Sequence, residues 1–203
     1  MIKFETKIQR RGNRFYLKDT NFSFYHYYDF KTPLLHINIQ KNASSSLKNF
    51  LDNAEILDQS KDKKKFWFTI TRDPLDRFKS TMRMLKSYGI DFLGRCLYKF
   101  PDQSTNDFFI AFSHFVPQHL HVEWFEQRYD IKYFNIKNLV PLKLELEKFT
   151  VNQIPILKLN STNRNKHDQE KIDKWINNNK NFVDDFLAPD YEWLAKIKSK
   201  IVD

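Results

Sequence analysis

Phe66 to Ser80 reads "FWFTITRDPLDRFKS", and within those residues a strand gives way to a helix. The run "FWFTIT" is rich in aromatic and β-branched residues between polar boundaries, which predicts a strand over 66–71. Asp73 is placed to cap a helix, and Pro74 suits its first position. Leu75, Phe78, Met82 and Leu85 then repeat with helical spacing. The chain therefore leaves a strand end through Arg72 and enters a helix almost at once. An arginine fork at that turn, with the Ser80 hydroxyl further along the helix, suits a dianionic phosphate held at two points. A carboxylate facing such a group would repel it, so Asp73 is assigned to capping. Arg77 is read as a solvated partner of a nearby carboxylate.

A second junction of the same kind lies upstream, in "LLHINIQKNASSSLKNFL", Leu34 to Leu51. Leu34 to Ile39 predicts a buried strand. Ser44 or Ser45 then caps a helix running to about Leu57, with Leu47, Phe50, Leu51 and Ala54 on one face. A helix amino terminus offers free N–H groups and a positive dipole end, so it binds anions. Lys41 adds a full charge there, and Ser44, Ser45 and Ser46 add hydroxyl donors. The glycine-rich triphosphate loop ending in Lys-Ser/Thr is absent, and Lys41 precedes the small residues instead of following them. That argues against an ordinary ATP or GTP enzyme. Taken alone, the stretch is explained as well by a Ser-capped helix beside a surface lysine.

Outward from these junctions the chain continues to alternate. "DQSKDKKK", 58–65, is a charged, solvated loop. Helices are expected near 92–100 and 105–113, a strand in "YDIKYFNIKNL", and helices over Leu142 to Phe149, His167 to Asn178 and Asp190 to Lys200. Strands alternating with helices predict a three-layer α/β/α domain with a mostly parallel central sheet. In such sheets ligands sit beyond the carboxyl ends of the strands, where both turns fall. Residues 1–203 read as one domain: an aromatic and basic lead-in over 1–30, of short strands or irregular chain, and a core over 31–203.

Composition narrows the function. With 41% hydrophobic and 16% aromatic residues, the chain is not disordered as a whole, and its 20 phenylalanines suffice to fill a core. Only 3 glycines are present, so tight backbone features must be built without them. The lone Cys96 excludes an internal disulfide and a cysteine-rich zinc site. His114, His119 and His121 cluster without a supporting carboxylate pattern, so no metal is expected. A formal net charge of +9 favours anionic partners. Lys and Arg are spread along the whole chain, whereas a nucleic-acid-binding module would gather them on one face. The first residues hold no apolar run fit for a signal peptide or a transmembrane span, and read as it stands the protein is expected in the cytosol.

Taken together and in this order, the two junctions resemble the carbohydrate sulfotransferases, the Golgi-type branch of the P-loop-like superfamily. These use 3′-phosphoadenosine 5′-phosphosulfate (PAPS) as sulfuryl donor. "HINIQKNASSSL" is similar to the family's 5′-phosphosulfate loop, although many members read Lys-Thr-Gly-Gly-Thr where this chain has no glycine. "FTITRDPLDRFKS" is similar to its 3′-phosphate motif, including Arg72, Asp73, Pro74, Arg77 and Ser80. "HFVPQ", His114 to Gln118, resembles the His-aromatic-x-Pro-Gln element, and "LKLNSTNR" and "APDYEWLAKI" resemble later segments.

The resemblance implies a P-loop NTPase-like sulfotransferase fold. It also implies transfer of a sulfuryl group from PAPS to a hydroxyl, or an amine, of an acceptor such as a carbohydrate. Adenosine 3′,5′-bisphosphate would be released, with no metal. Lys41 would stabilise charge at the bridging oxygen, with Asn42, Ala43, Ser44, Ser45, Ser46 and Leu47 around the 5′ group. Arg72 and Ser80 would hold the 3′-phosphate. Ser161 and Arg164 would close over it, or belong to an ordinary basic loop. His114 is the first choice of general base, with a loop-bonded histidine as its plain alternative; His119, His121 and Glu123 stand in reserve. His36, on the buried strand, reads as structural. A nucleotide kinase and a basic polyanion-binding module are the rival readings.

Overall fold

In a computed structural model of the protein, residues 6–11, 14–19, 23–24, 34–39, 41–43, 47, 66–86, 89–90, 114–151 and 166–203 are described, those of 6–24 and Leu35 as backbone only. The lead-in forms strands: β1 (Thr6–Arg11), β2 (Arg14–Asp19) and β3 (Ser23–Phe24) make an antiparallel meander with Ile8 opposite Leu17 and Leu17 opposite Phe24. A separate four-stranded sheet comes next in the chain. Its strands β4 (Leu34–Ile37), β5 (Phe66–Thr71), β6 (Ile131–Asn135) and β7 (Ile201–Val202) lie side by side in chain order, all parallel.

A parallel strand buried on both faces must be apolar almost throughout, and β5 meets that demand. Trp67 points to one face, packed with Ile37, Ile131 and Tyr133 against Val122, Phe125, Trp193 and Ile197. Phe68 and Ile70 point to the other, packed with Leu34 and Phe134 against Leu47, Leu142 and Leu146. The period of two thus places helices on both sides, and the chain is an α/β protein. The polar members of β5 spend their hydroxyls inside the sheet: Thr69 Oγ1 donates to the Ile37 carbonyl at 2.8 Å, and Thr71 Oγ1 to the Phe134 carbonyl at 3.2 Å. His36 is buried and stacks on Phe68, ring centroids 5.2 Å apart, which fits its structural reading.

The helices are α1 (Pro74–Met84), α2 (Gln118–Glu126), α3 (Val140–Glu147), α4 (Lys166–Asn178) and α5 (Lys180–Ile197). Helix α1 starts as the sequence predicts, with Asp73 Oδ1 accepting the Asp76 N–H at 2.9 Å and Pro74 in the first turn. Its stripe of Phe78, Met82 and Leu85 packs with Phe115, Ile172, Ile176, Val183 and Leu187, so α1, α4 and α5 share a core of their own. Trp175 and Trp193 are packing residues, as expected from their helical setting.

The last helix corrects the sequence reading. The sequence predicts a helix from Asp190, but α5 begins ten residues earlier and runs through Pro189. An interior proline removes one hydrogen bond and costs about 3 kcal/mol. Burial of Val183, Leu187, Trp193 and Ile197 along the same helix offsets that cost, at about 1.5–3 kcal/mol for each large apolar side chain. The short β7, also unforeseen, follows α5 through the 3₁₀ turn Lys198–Lys200. The helices expected over 92–100 and 105–113 lie outside the described residues. No described helix is long and apolar enough to cross a membrane.

Candidate anion-binding site

Both turns singled out in the sequence lie at the carboxyl ends of neighbouring parallel strands, β4 and β5, and the structure brings them into contact. After β4 the chain reverses, and the Asn42 N–H donates to the Ile39 carbonyl at 3.1 Å. Helix then begins, with the Leu47 N–H donating to the Ala43 carbonyl at 3.0 Å. The amides of Asn42 and Leu47 are thus spent within the turn, and the Leu47 side chain is buried in the core.

Without glycine, two ordinary residues take the left-handed conformation: Lys41 at φ 69° and Ala43 at φ 62°. Each such L-residue costs about 1–2 kcal/mol. The sequence expected tight backbone features to be built without glycine, and this turn is, at the cost of strain. Replacing Ala43 by glycine should therefore raise the melting temperature. Relief of strain exceeds the added freedom of the unfolded chain, about 0.5–1 kcal/mol net, or roughly 1–4 °C in a domain of this size. A fall in melting temperature would show that the methyl group does more for the fold than the strain takes away.

Three side chains tie the turns together. Asn42 is fully buried, and its Nδ2 donates to the Ile70 carbonyl and to Gln118 Oε1, each at 2.7 Å. Gln118, equally buried, faces the backbone of Arg72: its Oε1 accepts the Arg72 N–H at 3.2 Å and its Nε2 donates to the Arg72 carbonyl at 2.8 Å. Its amide continues the hydrogen-bonding pattern of the sheet beyond the end of β5. Arg72 itself reaches back, Nη1 donating to the Lys41 carbonyl at 3.0 Å.

Asp190 of α5 completes the assembly. No side chain of α2 caps its own amino terminus. Instead the Asp190 carboxylate accepts the N–H groups of Gln118 at 2.8 Å and His119 at 3.1 Å. Its Oδ1 also lies 3.0 Å from His119 Nδ1. A buried carboxylate at a helix amino terminus answers both the unpaired N–H groups and the dipole.

Positive charge dominates what faces the turns. Arg77 was expected in solvent; it is buried, and its Nη2 donates to the His114 carbonyl at 3.1 Å. The reason is helical geometry: Arg77, Ser80, Thr81 and Met84 share one face of α1. Thr81 Oγ1 also bonds the His114 carbonyl, at 3.2 Å, and Met84 Sδ lies 3.5 Å from Lys41 Nζ. Ser80, buried on that face, is therefore turned toward the same region.

Burial lowers the pKa of Lys41, and Arg72, Arg83 and Arg77 lower it further by repulsion. Burial likewise pulls Arg77 down to about 10, with Asp190 opposing and Arg72 adding to the effect. His114 is pulled down to about 4, by burial first and then by Lys41 and Arg77. Its ring is neutral at physiological pH, and its buried Nδ1 has no hydrogen-bond partner among the described residues. Several cations thus depress one another's pKa around one turn.

Ser44, Ser45, Ser46, Ser161 and Arg164 lie outside the described residues. The sequence reading brought Lys41, Arg72 and His114 forward, and these converge; Ser80 is buried on the helix face that carries Arg77 and Met84. It assigned no role to Gln118 or Asp190. The element "HFVPQ" carried the first and "APDYEWLAKI" the second, each as part of a resembling segment without a role of its own. Among the described residues no group of three or more His, Cys, Asp or Glu side chains is placed to hold a metal ion. Compared with protein-family models, curated proteins and solved structures, the chain matches none.

Proposed function

We propose that the protein is a PAPS-dependent sulfotransferase, with the P-loop-like fold of that superfamily, acting on a hydroxyl of a carbohydrate or similar acceptor. One observation carries the reading. Arg72, from the turn that resembles the 3′-phosphate motif, bonds the carbonyl of Lys41, in the turn that resembles the 5′-phosphosulfate loop. Two electropositive turns that abut at adjacent strand ends suit one nucleotide bearing anions at two positions. The absence of a glycine-rich triphosphate loop favours this donor over ATP.

In this reading the acceptor oxygen attacks sulfur in line, a new O–S bond forms, and the bond from sulfur to the bridging oxygen breaks. The electron pair stays with that oxygen on the departing adenosine 3′,5′-bisphosphate. Sulfuryl transfer resembles phosphoryl transfer, so catalysis consists of positioning and of cations placed where charge develops. Lys41 serves the bridging oxygen, Arg72 and Ser80 the 3′-phosphate, and Arg77 adds a fixed buried charge.

The test is thermal stabilisation by adenosine 3′,5′-bisphosphate, ATP and a mixed-sequence oligonucleotide in parallel, followed by labelled PAPS with an acceptor panel. At 100 times its dissociation constant, the bisphosphate should add roughly 2.7 kcal/mol, or about 5–10 °C in a domain of this size. Stabilisation by the oligonucleotide alone would replace the enzyme reading with a polyanion-binding one.

A further inference from the structure

A buried carboxylate and a part-exposed histidine stand together beside Gln118, which ties the two turns. Asp190 Oδ1 lies 3.0 Å from His119 Nδ1, with side-chain exposures of 3% for the aspartate and 23% for the histidine. Asp190 cannot turn away, because its two oxygens also hold the N–H groups of Gln118 and His119. A carboxylate fixed at Nδ1 sets the tautomer: Nδ1 carries the hydrogen and Nε2 presents its lone pair. Among the described residues no hydrogen bond reaches His119 Nε2.

The position of the pair is set by the neighbouring residue. Gln118 binds Asn42 and Arg72, so the first turn of α2 is fastened to both anion-binding turns, and His119 is the next residue along. On its other side Asp190 acts on Arg77, whose guanidinium holds the His114 carbonyl. The pair therefore adjoins the residue that joins the two turns, and His119 is its partly exposed member. His114 is worse placed for proton transfer: its Nδ1 is enclosed without a partner, and two cations act on its ring.

We infer that His119 is the general base for the acceptor hydroxyl and that Asp190 is the residue that orients it. The inference rests on the sulfotransferase reading. As the acceptor oxygen bonds to sulfur, its proton passes to His119 Nε2, and the S–O electron pair leaves on the bisphosphate. The charge that arrives on the imidazole is balanced by Asp190, and the proton then departs to water. A base so placed selects a neutral hydroxyl-bearing acceptor, whose proton must be removed during attack.

His119→Asn keeps a donor where Nδ1 stands and removes Nε2; His119→Ala removes both. Both variants should bind adenosine 3′,5′-bisphosphate within about twofold of the parent. General-base catalysis contributes roughly 10²–10⁴, so kcat should fall by that factor in each, and added imidazole should restore at least tenfold to the alanine variant. Asp190→Asn should lower kcat without abolishing bisphosphate binding. Near-parental kcat in His119→Asn overturns the inference and leaves the sulfotransferase reading intact. So does a loss of bisphosphate affinity as large as the loss of kcat, which would mark the pair as structural. A parent protein that neither binds bisphosphate nor transfers sulfur overturns both.

Discussion

On the sulfotransferase reading proposed above, Lys41→Ala is expected to abolish sulfuryl transfer while leaving adenosine 3′,5′-bisphosphate bound. The substitution separates two things that Lys41 supplies. Its backbone carbonyl, which accepts from Arg72, remains, and alanine takes the same left-handed turn that Ala43 already takes nearby. Its ammonium, held 3.5 Å from Met84 Sδ and crowded by Arg72, Arg83 and Arg77, is lost. Removing one preorganised group at a developing anion costs about 10²–10³ in kcat. Because that charge appears only as the bond breaks, kcat and kcat/KM should fall together. A second readout needs no substrate. Lys41 is one of the cations that hold His114 down near 4, so the His114 ring should titrate higher in the variant. The sign also has a consequence for stability. A histidine that ordinarily titrates near 6.5 and is held near 4 favours the fold only while neutral. Stability is therefore lost as pH falls through that interval, and less steeply in the variant. Equal loss of bisphosphate affinity and transfer would place Lys41 in binding and not in catalysis.

The range of each interaction decides how far the sequence discloses it. Helix α1 was readable because its signals are local: Asp73 caps Asp76, Pro74 fits the first turn, and the stripe closes within a few turns. Strand β5 was readable because burial on both faces demands an apolar run that few other elements need. The two turns could be marked as candidate anion sites because charge, hydroxyls and an expected helix start fall together in the chain. Asn42 and Gln118 are different. They meet across 76 positions, and an amide in a loop gives no sign of whether it will face solvent or cap a strand. Arg77 was misread for a related reason: the His114 carbonyl that its guanidinium bonds lies 37 residues away. Strand β7 is two residues long, and only its pairing with β6 makes it a strand. Long-range polar contacts were therefore the part that sequence periodicity could not supply, and they are also what joins the two turns into one site.

Gln118→Ala isolates that junction, and it should be the most destabilising substitution in the site. The side chain fills a fully buried position and makes three hydrogen bonds through one amide. Truncation leaves Asn42 Nδ2 with Ile70 alone and deprives the Arg72 N–H and carbonyl of the partner at the end of β5. A buried polar group left unsatisfied costs about 1–3 kcal/mol. Groups in contact do not add fully, so the sum should come to about 3–5 kcal/mol, read as a lowered denaturant midpoint at unchanged slope. Binding should suffer as well, since Arg72 would lose the backbone anchor from which its guanidinium reaches Lys41. Gln118→Glu tests the same contact with the shape kept. It retains an acceptor for Asn42 and the Arg72 N–H but sets a carboxylate against the Arg72 carbonyl, where Nε2 had donated. Both variants should lose bisphosphate affinity, the glutamate with less loss of packing. If the alanine variant instead lost stability while the bisphosphate bound unchanged, the amide bridge would belong to the core alone, and the two turns would hold their places through the Arg72 to Lys41 bond without it.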